Sequence, residues 1–458
     1  MSMRTNTRLT KKSSLIFVLA FLAIALLDSI IPKLYSFSGS EPSSAINVMI
    51  YTSFTIAFGL TSIAFLISVG KINPRQEPRF SHSLGPYNMI ILATVILSLA
   101  IMVLIAIQMV FVQQYNADLL RFQTYLSRLL PLVFLTVLVS SFLNWLRVRK
   151  NALIVLYTIS LAIVCANLLV SLYYLDLHFT ASPSSVVRPH WIVSYVANLG
   201  GSTLTQSLAS AFEILSLVAF LLMWIATVKL LSQFRNKMGT LKFFVLMSIP
   251  LVYYLFPFQG YYGDVFFPLL VSSPVIFTVI YILIFSATKQ VGAFFFGLTF
   301  WTTSSLVYDE VLRKSLLVSS IGMAIIFASV ELAPLQYRAY PPYGLVTEAY
   351  IPIGAYLLFV GIFTSAVQIS RNSELRKVFY RNVSAQLDLF KSIGVSQMEK
   401  ELEERVKLIQ NASAPSEMPY EPDELDPENA KRILREVIDE LHSEKEQHGE
   451  RKERSERT

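Results

Sequence analysis

Residues 89–112 read MIILATVILSLAIMVLIAIQMVFV, from Met89 to Val112, with no charged side chain anywhere in the run. A helix rises about 1.5 Å per residue and the hydrocarbon core of a bilayer is about 30 Å thick, so about 20 such residues reach across. This stretch is long enough. Ten further runs have similar character: Ser14 to Ile31, Ile46 to Val69, Leu126 to Leu146, Ala152 to Leu175 and Leu208 to Leu231. They continue with Phe243 to Phe258, Val265 to Ala287, Val291 to Val307, Leu316 to Leu332 and Tyr350 to Ile369. Backbone N–H and C=O groups in lipid must be satisfied within the chain, so each run is expected as a helix. The expected class is all-α: a polytopic transmembrane helix bundle with a helical tail.

Composition agrees. The chain has 458 residues, 54% apolar and 15% charged, with a mean hydropathy of +0.53. Soluble domains carry about 25% charged residues. A water-soluble enzyme of two or three domains is excluded on that ground. The formal charge of +7 is unevenly spread. Residues 1–370 hold 22 Lys+Arg against 11 Asp+Glu, whereas residues 371–458 hold 16 against 20. The excess cations lie in short loops between apolar runs, where the membrane accounts for them, so nucleic acid is not an expected partner.

Orientation follows from those loops, because Lys and Arg stay on the cytoplasmic side. With the N-terminus inside, Arg4, Arg8, Lys11 and Lys12 fall inside. So do Lys71/Arg75/Arg79, Arg147/Arg149/Lys150 and Lys229/Arg235/Lys237/Lys242. Lys33, Arg121, Arg128 and Arg188 remain for the outer side, a bias of 14 to 4 over six spans. Arg371, Arg376, Lys377 and Arg381 place the tail inside as well. Five runs lie between Lys242 and Arg371, an odd number, so one does not cross. Two are short, Phe243 to Phe258 with Pro250 and Pro257, and Val291 to Val307 with Thr302-Thr303-Ser304-Ser305; taking the second as re-entrant or interfacial keeps Lys289 inside and Asp264 outside. Ten spans plus one such segment result, with both termini cytoplasmic and the cell membrane as the location.

After residue 370 the pattern becomes that of an amphipathic helix. Leu375, Phe379, Val383, Leu387 and Phe390 follow a three–four spacing and line one face. Gly394 is expected to break this helix, since glycine is costly in a helix interior. Val395, Met398, Leu402, Val406 and Ile409 resume beyond it. The expected organisation is a membrane domain over 1–370, amphipathic cytoplasmic helices over 371–410, a flexible linker over 411–425, and a short helix with a charged end over 426–458. The stripe would pack on its own membrane domain or the headgroup layer, or dock a cytoplasmic protein partner or a second copy in a coiled coil.

Motifs of known chemistry are missing. The chain has no Gly-x-x-x-x-Gly-Lys-Ser/Thr, no His-Glu-x-x-His and no Gly-x-Ser-x-Gly. Its one cysteine, Cys165, allows no internal disulfide and no Cys-based metal cluster. Asp176, His178 and His190 share the loop region 176–207 but fall short of a zinc ligand set. No cofactor, metal or catalytic residue is expected. Ionisable residues inside spans are costly and often functional. Three acids fall within the runs, Asp28, Glu213 and Glu331, all within about two turns of the outer surface. They are the candidate polar pocket. Arg128 and Lys229 sit near span ends, where they are expected to extend to water. The tyrosines at 253, 254, 261, 262, 337, 340 and 343 read as interfacial aromatic belts.

Tyr340-Pro341-Pro342-Tyr343-Gly344-Leu345 with its following span, together with Ser392-Ile393-Gly394-Val395-Ser396-Gln397-Met398-Glu399-Lys400-Glu401, resembles a family of uncharacterised archaeal multi-pass membrane proteins. Phe296-Gly297-Leu298-Thr299-Phe300-Trp301 is compatible with it. The resemblance covers about the last 150 residues and implies an archaeal plasma membrane and no assigned activity. Three functional readings follow in order: a sensory or scaffolding membrane protein with a partner-docking tail, a transporter or channel for a small solute or ion, and a lipid-modifying enzyme.

Overall fold

The computed structural model describes residues 11–38, 44–70, 78–180, 186–187, 203–235, 239–255, 272–273, 276, 280, 288–307, 309–329, 340–371 and 385–412. Within them the chain is helical apart from short turns and one pair of two-residue strands. The helices are α1 (Lys11–Ser38), α2 (Ser44–Gly70), α3 (Pro78–Val112), α4 (Ala117–Val148) and α5 (Ala152–Thr180). Next come α6 (Thr203–Leu231), α7 (Thr240–Leu255), α8 (Thr288–Ser304) and α9 (Glu310–Ser329). The series ends with α10 (Leu345–Ala349), α11 (Ile351–Arg371) and α12 (Ala385–Ala412). Strand β1 (Tyr115–Asn116) pairs antiparallel with β2 (Val186–Val187).

Seven stretches among these helices are long and apolar enough to cross a membrane: Ala45–Ile67, Pro86–Val112, Ala117–Val148, Ala152–Leu177, Gln206–Leu231, Glu310–Ser329 and Leu345–Ser370. Each coincides with a run expected from sequence. Two more expected runs are shorter apolar helices, Ser14–Asp28 and Thr240–Leu255. The expected run 265–287 lies almost wholly outside the described residues.

The chain forms two compact units, Met1–Gln397 and Met398–Thr458. In the first, α9 and α11 pack together as the innermost pair, with α8 against α9 and α4 against α11. The apolar windows of α9 and α11 are 83% and 94% buried, against 33–50% for the other five, so this pair is sheathed by its neighbours. Small residues allow that contact. A side chain on Gly361 would meet the Ser315 carbonyl at 2.7 Å, and one on Gly322 would meet the Gly354 carbonyl at 2.8 Å. In lipid, where hydrophobicity does not drive helices together, such close backbone approach is the main source of packing energy. The outer helices present large apolar side chains outward, among them Met49, Leu60, Met89 and Phe111. That surface suits acyl chains and not water.

Residues 389–397 of α12 pack at the end of the bundle where α4 turns into α5. Phe390 lies edge-on to Phe300, and Asn151 Nδ2 donates to Ser392 Oγ at 3.0 Å. Trp145 Nε1 donates to Gln397 Oε1 at 3.1 Å, and Ser396 Oγ donates to the Trp145 carbonyl at 3.1 Å. Phe390 is buried as expected, but the break at Gly394 does not occur. α12 runs unbroken through that position. A side chain there would strike Ile369 near the end of α11, so glycine serves close approach and not helix termination. The packing offsets the cost of about 1 kcal/mol that glycine carries in a helix interior. Leu375, Phe379 and Val383, as well as the expected helix after residue 425, lie outside the described residues; the side chain of Leu387 does too.

Candidate functional site: buried charges around a short helix

Pro341 and Pro342 supply no backbone donors, so the turn before α10 must close through its flanking residues. Tyr343 N–H donates to the Pro341 carbonyl at 2.8 Å, and Gly344 takes a left-handed φ of 90°, where a side chain would be strained. The chain then enters α10 with N–H groups that have no intrahelical partner. The Pro342 carbonyl takes that of Leu345 at 3.3 Å, and Asp28 of α1 takes those of Gly344 and Thr347. Its Oδ1 accepts from Gly344 N–H at 2.9 Å, while Oδ2 accepts from Thr347 N–H at 3.2 Å and Thr347 Oγ1 at 2.6 Å. A helix cap normally comes from the preceding residue. Here it comes from 316 residues away.

The tyrosines of the turn are tied into the same end of the bundle. Tyr343 Oη donates to Asn47 Oδ1 at 2.9 Å, and Tyr340 Oη donates to the Met109 carbonyl at 3.1 Å. The Tyr340 ring stacks on Tyr115. Both tyrosines are buried, which corrects their reading as an interfacial belt. Tyr350, between α10 and α11, bonds Thr61 at 2.6 Å and meets Phe21 and Phe58 edge-on.

Glu348, the fourth residue of α10, pairs with Arg128 of α4: Arg128 Nε donates to Glu348 Oε1 at 2.5 Å. The side chains are 1% and 2% exposed. Arg128 also donates from a terminal nitrogen to Ser171 Oγ on α5. This corrects the expectation that Arg128 extends to water. It lies about 16 Å along α4 from Ala117, and its face of the helix meets α10, where a carboxylate waits. The face is polar over more than a turn. Gln123 Nε2 donates to Ser98 Oγ at 3.1 Å and Ser127 Oγ at 3.0 Å, and Thr124 is equally buried. Pro131 lacks the N–H that would bond the carbonyl of Ser127, which adds another acceptor beside Arg128.

The sequence-derived acids occupy unlike settings. Asp28 is buried under α10 as its cap, Glu213 is exposed on α6, and Glu331 lies outside the described residues. Glu348 lies two residues before the final expected run, Tyr350 to Ile369, so no acid-in-span signal marks it. Its partnership with Arg128 spans 220 residues and leaves no local signal. Elsewhere, Asp176 binds Arg121 and Tyr125, Lys229 is exposed, and Asp309 caps α9 by accepting from Leu312 N–H at 2.7 Å. Cys165 is half-buried. Among the described residues no three of His, Cys, Asp and Glu are grouped to hold a metal.

The groups gathered at α10 are therefore two carboxyls and one guanidinium, packed among hydroxyl and amide groups. Comparison with family models, with curated proteins and with solved structures gives no match.

Proposed function

We propose that this chain is a sensory or scaffolding membrane protein in which α11 links the 340–349 turn to the packed segment of the tail. The observation that carries the reading is that one buried helix is held at both ends. Just before its start, Glu348 is held by Arg128 and Thr347 by Asp28; near its end, Ile369 bears on Gly394. A displacement of the turn must move α11 or strain it, because packed interiors are not continuously deformable. Ile369 then moves under α12.

In this reading the chain crosses the cell membrane ten times with both termini cytoplasmic, and Val291 to Val307 is the segment that does not cross. The cation bias of the loops supports that arrangement. The tail would engage a cytoplasmic protein or a second copy of the chain. A transporter for a small solute or ion is the second reading, favoured by the polar strip Gln123, Thr124, Ser127 and Arg128 inside an apolar helix.

Cross-linking tests the coupling. In a Cys165→Ala background, Asn151→Cys with Ser392→Cys reports contact between the α4–α5 turn and α12. Glu348→Ala or Asp28→Asn, at the other end of α11, should lower the cross-link yield at least severalfold. Equal yields in all three would show that the two ends are independent, and the reading would fall.

A further inference from the structure

Helices α4, α5 and α6 are charged differently in their two halves. In the half that holds Asp118, Asp176 and Glu213 the cations are matched by acids: Arg121 pairs with Asp176, and Arg128 with Glu348. At the opposite end the α4–α5 turn carries Arg147, Arg149 and Lys150, and the α6–α7 connection carries Lys229, Arg235, Lys237 and Lys242. Neither connection contains an acid. All of these cations but Lys237 lie within the described residues. Each of those six is exposed, and none forms an ion pair among the described residues.

The two connections share one end of the bundle. α5 and α6 run antiparallel, with Asn167 Nδ2 donating to Ser216 Oγ at 2.9 Å and Ser160 Oγ to the Ala219 carbonyl at 3.0 Å. Ala152, where α5 starts, lies about 12 Å along the axis from Ser160, and Lys229 lies about 15 Å from Ala219 in the same direction. Trp224 Nε1 donates to the Met247 carbonyl at 2.7 Å and fixes α7 alongside α6, so Lys242 returns to the level of Lys229. Beside and just inside these cations, the same helices turn large apolar side chains outward. Leu143 and Val148 on α4, Ile225 on α6, and Leu241, Phe244 and Val245 on α7 are exposed. A water-soluble anion would satisfy the cations and leave this surface bare. An amphiphile satisfies both.

We propose that this end of the bundle binds anionic lipid. The headgroup phosphate lies on the cations of the two connections, and the acyl chains lie along the apolar faces of α4, α6 and α7. An Arg fork holds a phosphate through two parallel N–H···O bonds, and Lys adds a compact positive charge. Basic clusters at the ends of spanning helices suit such headgroups. Charge and apolar surface follow one another along the helix axis in the order in which a lipid presents them. The site needs the bundle to sit in a bilayer, whichever end faces the cytoplasm, and is independent of any coupling through α11.

Lipid retention by the purified full chain tests the proposal, read by native mass spectrometry in detergent with added phosphatidylglycerol or phosphatidylcholine of identical acyl chains. The parent protein is expected to keep severalfold more phosphatidylglycerol. Arg147→Gln, Arg149→Gln and Lys150→Gln combined with Lys229→Gln and Lys242→Gln should bring the two lipids level. A photoreactive phosphatidylglycerol should label residues 143–150 and 225–245 of the parent, so the answer does not depend on the variant folding. Equal retention of both lipids overturns the proposal, whether the cations are idle or already covered by the acidic residues beyond 397. Labelling confined to other segments, or a variant that keeps the preference, overturns it too. Displacement of phosphatidylglycerol by millimolar inorganic phosphate shows a soluble-anion site and overturns it equally.

Discussion

Arg128 shows how one residue's surroundings reverse its expected behaviour. Near the end of an apolar run a long cationic side chain ordinarily reaches for water. Glu348, contributed from 220 positions later, holds it inside instead. Removing one partner of a buried pair leaves the other uncompensated, so Arg128→Ala should cost about 3–5 kcal/mol. Glu348→Gln keeps an acceptor for Arg128 and should cost much less. Unfolding of both variants and of the double variant in mild detergent checks this. A double variant no more stable than the sum of the singles predicts would mean the groups are not coupled. Asp28 was legible as a functional candidate because an acid inside an apolar run is rare. Its task was not legible, since the helix it caps is formed by the last third of the chain.

At the level of the element, hydropathy located the helices well because lipid permits no other backbone structure. Their ends and breaks were harder to read. Gly394 illustrates the difficulty: local propensity marks it as a stop, yet α12 continues because the facing Ile369 leaves no room for a side chain. Gly394→Leu should therefore leave helicity unchanged and displace residues 389–397 from the bundle. Trp145, which bonds Gln397, provides the optical signal, and protease cutting near residue 390 should accelerate. If the variant resists protease like its parent, the close approach is not what seats the segment. The turn at 340–344 was recognised as a stiff connection from its prolines, but its buried tyrosines were not, because their partners Asn47 and Met109 sit on other helices.

For the whole molecule, the division at Gln397 makes a different prediction from the composition shift at residue 370. Truncation after Gln397 should leave the thermal unfolding of the remaining chain nearly unchanged. Truncation after Ser384 should lower it, because Leu389, Phe390 and Ile393 are buried, and each such side chain contributes about 1.5–3 kcal/mol. Identical unfolding of the two truncated chains would show that residues 385–397 add nothing to the bundle. Charge counting in the loops proposes an orientation for each expected span, whereas the nesting of helices is invisible to it. Hydrophobic side chains facing lipid and those facing another helix look alike in composition.

That nesting has a consequence for how the protein is made. Chains leave the ribosome N-terminal end first, yet α9 and α11, the innermost pair, are among the last helices synthesised. The helices that enclose them must enter the bilayer while their future core faces stand open. Arg128 and Asp28 are then without Glu348 and the 344–347 backbone for as long as it takes to translate the intervening 220 and 316 residues. Nascent chains halted before residue 345 should accordingly be the stage at which this protein depends most on insertase or chaperone shelter.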